Sequence, residues 1–230
     1  MMNPVQPQAC TILSIKKESH HEWTFRVASD AKPAHGQFMQ VSIPMIGEAP
    51  ISVSAQGDGW LELTIRAVGK VTDVIFQKQI GDTLFLRGPY GKGWPVEQFR
   101  DKHLVVITGG TGLAPVRSML NMLADTAGYA RSIHLICGFK NADGIVFHNE
   151  LESWKQSFST IYTLDNGTLD GWRTGMVTAF VPEIPYQKAS AELLPAVQSA
   201  RRIYASNACA RRHDRCQVSQ LCGTYRQDLG

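Results

Sequence analysis

No run of apolar residues in the 230-residue chain approaches the ~18 that a membrane-crossing helix needs. The opening MMNPVQPQAC lacks the basic start and apolar stretch of a secretory signal. Cysteine is scarce: five residues at scattered positions make no extracellular disulfide framework. The seven histidines show no metal-ligand spacing beyond the adjacent pair His20 and His21. These absences lead to the expectation of a soluble cytoplasmic protein. Lysine is missing from the last thirty residues, which hold six arginines and two aspartates, a net charge of +4. Residues 1–200 carry 17 basic and 18 acidic side chains, a net of −1. A nucleic-acid surface spreads basic groups over a folded face, and this body has no such excess. What is present is ordinary for a globular protein: 43% hydrophobic and 19% charged residues. At ~100–200 residues per domain, the length suits one large domain or two small ones.

The first hundred residues read as strands. Ala9 to Ser14 is a short apolar run, and Trp23, Phe25 and Val27 alternate with Thr24 and Arg26. Phe38 to Ile43, Ile51 to Ser54, Trp60 to Ala67 and Thr83 to Arg87 continue the series, with a short helix expected over Lys70 to Gln79. Short strands at regular spacing predict a small antiparallel barrel, closed at Gly88-Pro89-Tyr90-Gly91. At Asp101 the pattern changes. His103 to Thr108 and Ser132 to Cys137 are nearly continuous apolar runs, as strands buried on both faces require. Helical spacing follows over Leu113 to Ala124 and Phe147 to Ser157. A strand over Thr160 to Leu164 and a helix over Thr174 to Phe180 complete a predicted parallel α/β sheet. The division expected is a barrel over 8–100, an α/β domain over 101–187, and a tail over 188–230.

Two segments carry chemistry. Thr108 to Leu120 reads TGGTGLAPVRSML at the end of a buried strand and the start of a helix. Glycines there let backbone approach a phosphate, whose charge the free N–H groups of the helix start attract. Pro115 suits a first helical turn, where its missing N–H costs nothing. The third glycine of the dinucleotide fingerprint is absent, so by itself the loop reads equally as a plain strand-to-helix turn. The second segment is Pro50-Ile51-Ser52-Val53, ahead of Ile65-Arg66-Ala67-Val68-Gly69-Lys70-Val71-Thr72. A serine hydroxyl both donates and accepts, Arg66 offers a fixed cationic fork, and Gly69 to Thr72 offers backbone N–H groups. Alone, this too reads as strand punctuation and a surface arginine.

The order of these pieces resembles the ferredoxin–NADP⁺ reductase superfamily over about residues 8–187. Within it the chain is most similar to the B-type subunits of anaerobic sulfite reductase. The sulfhydrogenase gamma subunits and dihydroorotate dehydrogenase electron-transfer subunits stand beside that group. The resemblance implies an FAD-binding β-barrel followed by an NAD-binding α/β domain incomplete at its C-terminus. It implies that electrons pass from NADH through FAD to a partner oxidoreductase. The partners would be a siroheme/iron–sulfur sulfite reductase subunit and an iron–sulfur subunit. A hydrogenase, a sulfur reductase or dihydroorotate dehydrogenase is the alternative acceptor, and a non-catalytic remnant the alternative of another class.

Carried over residue by residue, the flavin motif falls on Pro50, Ile51, Ser52 and Val53, with Ala49 where the family has arginine. Ser52 would meet the flavin N5, Ile65 and Arg66 would form the second flavin segment with Arg66 on the pyrophosphate, and Gly69, Val71 and Thr72 would form the phosphate loop. Gly109, Gly110, Thr111, Gly112, Leu113, Ala114 and Pro115 would take the nicotinamide nucleotide, with Cys137 and Gly138 lining the same crevice. The sulfite reductase group also implies a [2Fe–2S] cluster. Cys209, Cys216 and Cys222 are spaced too widely for ferredoxin-type ligands. No run after Gln187 reads as a buried strand, and an irregular, disordered basic tail is expected. A shifted reading frame near residue 188 would explain the abrupt loss of pattern.

Overall fold

The computed structural model describes residues 6–184 and the backbone of 191–195. Six strands close an antiparallel barrel in the order β1-β2-β5-β4-β3-β6. They are β1 Gln8–Lys17, β2 Glu22–Ala28, β3 Phe38–Ile43, β4 Gly47–Gly57, β5 Trp60–Arg66 and β6 Thr83–Tyr90. Alternation decides which side chains fill it. Phe25 and Val27, Met39 and Val41, Leu61, Leu63 and Ile65, and Leu84 and Leu86 all point inward. Thr24 and Thr64, which alternate with them, and Ser52, which lies between Ile51 and the core residue Val53, are left for the outer face. Helix α1, Lys70–Ile75, adds Ile75 to the barrel core.

The second unit is a parallel sheet in the order β10-β9-β8-β7-β11. Its strands are β7 His103–Gly109, β8 Ser132–Phe139, β9 Ser159–Leu164, β10 Arg173–Thr174 and β11 Ala191–Pro195. Helices α2, Ala114–Asp125, and α3, His148–Ser157, cover one face through Met119, Leu120, Leu151 and Trp154. The shorter α4, Val177–Phe180, covers the other, where Val177 meets Val105, Ile107 and Ile136. The chain leaves β7 toward β8 on one side and returns as β11 on the other. The strand order therefore reverses at β7, and crevices at such switch points are where open α/β sheets take ligands.

Three local expectations are corrected. Residues Ala191–Pro195 form a strand after all, parallel to β7 with Ala191 opposite His103 and Pro195 opposite Ile107. Glu192 interrupts its apolar run, so no buried-strand pattern is visible. Proline is tolerated on such an edge strand. The rest of the tail, with Cys209, Cys216 and Cys222, lies outside the described residues. The helix expected over Thr174 to Phe180 is reduced to α4, because Arg173–Thr174 pairs with β9 and Gly175 turns the chain at φ +128°. Strand β6 runs through Gly88-Pro89 to Tyr90 instead of ending before it. Among the described residues no helix is long and apolar enough to cross a membrane.

Candidate functional site

On the barrel side, Ser52 lies on the outer face of β4, opposite Phe38 of β3. Its neighbours divide by pleat. Val53 is buried in the barrel core and Ile51 packs against it, while Pro50 is exposed. Ile65 is also a core side chain, so only its backbone can face a ligand. Arg66, at the end of β5, keeps half of its side chain exposed beside Glu22, at 3.4 Å. Gly69 stands open: a Cβ there would meet nothing within 4 Å. Val71 is half-buried against the barrel.

The Thr72 side chain turns back on the loop that carries it. Its hydroxyl accepts from the N–H groups of Val68 and Gly69 at 2.9 and 3.0 Å and donates to the Gly69 carbonyl at 2.9 Å. Its one hydrogen is committed to that carbonyl, and the hydroxyl fixes the loop that Gly69 opens.

On the sheet side, the loop Gly109–Leu113 leaves the carboxyl end of β7 at the switch point. Gly110 takes φ +52°, with open space where a Cβ would stand. Gly109, Thr111 and Gly112 are half-buried, whereas Leu113 and Ala114 are core side chains that offer only backbone. Pro115 occupies the first turn of α2, and its carbonyl accepts the Trp94 indole N–H at 2.8 Å. Just ahead of the loop, the buried Thr108 hydroxyl has no hydrogen-bond partner among the described residues. A buried hydroxyl left unpaired costs ~1–3 kcal/mol. Such a group beside an open glycine loop suits a polar ligand.

Cys137 and Gly138 do not line the crevice with side chains. Cys137 is fully buried in the core under α2 and α3, where burial pushes its thiol far up. Gly138 is demanded by packing, since a Cβ would come within 2.4 Å of Val177 Cγ1 and 2.6 Å of Thr163 Oγ1.

The two halves meet where α2 packs on β4. Arg117 of α2 reaches the outer face of the barrel and donates to Glu62 Oε2 at 2.6 Å, and it also pairs with Glu150 of α3. Its guanidinium lies 4.3 Å from the centre of the Phe147 ring. Arg26 completes the group, donating to Glu62 Oε1 at 2.7 Å. Burial pushes the Glu62 carboxyl upward, but Arg117 and Arg26 outweigh it and hold it below the usual glutamate range. His35 adds a contact to Ser118 at 3.0 Å, and burial lowers its pKa. Glu18 accepts the Phe147 N–H at the start of α3, at 3.2 Å. Nothing in the sequence motifs points to this junction as a whole. Arg117 carries one trace of it, as a cation in the first turns of an otherwise apolar helix that begins at a glycine loop.

An antiparallel six-stranded barrel packed on a parallel sheet, with an open glycine loop at the switch point, is the fold of ferredoxin–NADP⁺ reductase-like proteins. Residues 106–192 match the protein family described as the oxidoreductase NAD-binding domain. The chain has that fold, and its parallel-sheet unit carries the match to the NAD-binding domain. The ferredoxin NADP⁺ reductase of Neisseria gonorrhoeae with bound FAD and NADP superposes with a TM-score of 0.76 at 18% identity, over 92% of this chain and 96% of that one. The flavohem-like FAD/NAD-binding domain of Vibrio cholerae nitric oxide dioxygenase gives 0.79 at 16% identity, over 93% and 97%.

Among curated proteins, sulfhydrogenase 1 subunit gamma of Pyrococcus furiosus is 39% identical over 140 residues, 60% of this chain and 45% of that protein. A probable dihydroorotate dehydrogenase B electron transfer subunit of Methanopyrus kandleri is 32% identical over 185 residues, 80% and 66% of the two chains. Alignment with the two P. furiosus sulfhydrogenase gamma subunits takes in only 45% and 54% of their lengths, so the chain spans about half of them.

Proposed function

We propose that the chain is an electron-transfer subunit that holds FAD on its barrel and NADH at the Gly109–Leu113 loop, and passes electrons singly to a partner protein. One observation carries this reading. The glycine loop leaves the carboxyl end of β7 and runs straight into α2, and α2 packs on the strand that holds Ser52. A nicotinamide on the loop and a flavin on the outer face of β4 would therefore share one junction. The residues fit these groups: space lies open before Gly69 and Gly110, the Arg66 fork is half exposed, and the Thr108 hydroxyl is unpaired.

When bound, the flavin supplies the redox chemistry, accepting a hydride and releasing electrons one at a time. The chain binds and orients. Ser52 offers a hydroxyl that can donate or accept at the reacting edge. Arg66 offers charge to the pyrophosphate, and Gly69, held by Thr72, lets backbone come close. Arg117 fixes the two halves so that donor and acceptor meet in one geometry, where orientation supplies much of the rate.

The relatives favour the alternative acceptors over sulfite reductase, since the curated proteins are named as sulfhydrogenase gamma and dihydroorotate dehydrogenase electron-transfer subunits. A hydrogenase-type or dihydroorotate-oxidising catalytic subunit is therefore the partner class we favour. A [2Fe–2S] centre between flavin and acceptor would need ligands from residues outside those described or from the partner.

Titration of the purified chain with FAD and with FMN tests the cofactor assignment. Saturable quenching of FAD fluorescence at one equivalent, with much weaker FMN binding, is expected. No binding of either flavin would overturn the reading.

A further inference from the structure

A chain of buried side chains runs along the outer face of the barrel, starting two residues from Ser52. Ser54 Oγ lies 2.8 Å from Thr64 Oγ1, which lies 2.9 Å from Thr24 Oγ1, which lies 3.1 Å from Glu18 Oε1. At the other end Ser54 Oγ is 3.2 Å from the Glu62 carbonyl oxygen. Ser54 is 0% exposed, and the Glu18 side chain is 2% exposed. Thr24 and Thr64 are buried as well, so solvent does not bypass the chain. Ser54 owes its place to a bulge: Val53 pairs with Leu63 and Ala55 with Glu62, leaving Ser54 as the extra residue. Bulges re-aim side chains in this way.

The hydrogens do not balance, and the imbalance is informative. There are four contacts, Glu62–Ser54, Ser54–Thr64, Thr64–Thr24 and Thr24–Glu18, but the three hydroxyls carry one hydrogen each. With Glu18 ionised, every hydroxyl can point toward it, and the Glu62 carbonyl loses its donor. With one more proton, on Glu18, every hydroxyl turns the other way and all four contacts are hydrogen bonds. The two arrangements interconvert when a proton enters at Ser54 and each hydroxyl passes its own hydrogen one place on.

We propose that Ser54, Thr64, Thr24 and Glu18 are a proton relay between the barrel–sheet junction and solvent. This rests on the flavin reading given above. NADH delivers two electrons and one proton as a hydride. A one-electron acceptor removes the two electrons in two steps, so one proton per hydride stays behind and must leave the junction. Ser54 shares its face of β4 with Ser52, about 7 Å along the strand, and a proton crossing that span would need one or two bridging waters. At the far end Glu18 Oε2 contacts the ammonium of Lys16, at 3.0 Å, and the N–H of Phe147. The Lys16 side chain is 55% exposed and opens the relay to water.

Single-turnover kinetics of the FAD-loaded full chain provide the test. The flavin is reduced with NADH and then reoxidised by a one-electron acceptor such as ferricyanide. Thr64→Val should lower the ratio of the reoxidation rate to the reduction rate at least about tenfold, within the range of lost general acid–base transfer. It should also enlarge the solvent deuterium isotope effect on reoxidation, and Thr64→Ser should restore both. Glu18→Gln, which keeps an acceptor oxygen but takes no proton, should lower the ratio similarly and serves if Thr64→Val does not fold.

A second readout needs no flavin. Infrared spectra of the flavin-free wild type minus Glu18→Gln isolate the Glu18 carboxyl band, and Thr64→Val should shift it. A wild-type ratio in Thr64→Val, or a carboxyl band indifferent to Thr64, overturns the relay. A wild-type chain that takes up no FAD overturns instead the flavin reading on which it rests.

Discussion

Gly110 and Gly138 look alike as letters and do different work. Gly110 holds φ +52° with open space before it, so its need is conformational and the space is left for a ligand. A β-branched residue there incurs ~1–2 kcal/mol of left-handed strain and fills that space. Gly110→Val should weaken NADH binding about tenfold or more while FAD stays bound, as separate titrations with each ligand would show. Gly138 instead has Val177 and Thr163 where a Cβ would stand. Gly138→Ala should destabilise the fold by ~1–3 kcal/mol through overpacking, read as a lower urea midpoint, with FAD affinity little altered. Arg66→Ala removes one charge-assisted hydrogen bond of ~1.5–3 kcal/mol. Retention of FAD should fall roughly ten- to a hundredfold. Equal FAD affinity in Arg66→Ala would take this residue out of the site.

At the scale of elements, the junction between α2, α3 and the barrel depends on Arg117 lying between Glu62 and Glu150, all largely buried. Removing one partner strands the other charges, at a typical cost of ~3–5 kcal/mol. Arg117→Leu should therefore lower the unfolding midpoint markedly, and a melting curve equal to wild type would show that the clamp contributes nothing. The pH dependence follows from the sign of the shift. Glu62 is held below the ordinary glutamate value of 4.5. Its stabilisation is present above that value and is lost as pH falls through the lower folded one. Wild type should lose stability on acidification in this window, and Glu62→Gln should lose less.

The elements themselves are largely legible in the sequence. Alternation marks β2 and β5, and continuous apolar runs mark β7 and β8. Contacts between distant elements are not legible. Nothing local in TGGTGLAPVRSML says that Arg117 meets Glu62, fifty-five residues earlier. Nothing near Cys137 says that its side chain turns into the core and away from the crevice. β11 escapes sequence reading because five residues with an internal glutamate fall short of any periodic signal. The barrel half of the site is legible in its backbone but not in its side chains. Thr72 stands at a loop position that suits a ligand contact, whereas its hydroxyl is committed to the loop itself.

For the whole molecule, barrel and sheet each form a separate core, and the function proposed lives between them. The barrel face holds Ser52 and Arg66, and the switch point of the sheet holds the glycine loop. The most direct measurement is the absorbance spectrum of the FAD-reconstituted chain during anaerobic titration with NADH. Loss of the oxidised-flavin absorption at one equivalent of NADH is expected, and Gly110→Val should need a large excess. A flavin spectrum that NADH leaves unchanged, while dithionite bleaches it, would contradict the assignment of the Gly109–Leu113 loop and with it the proposed electron path.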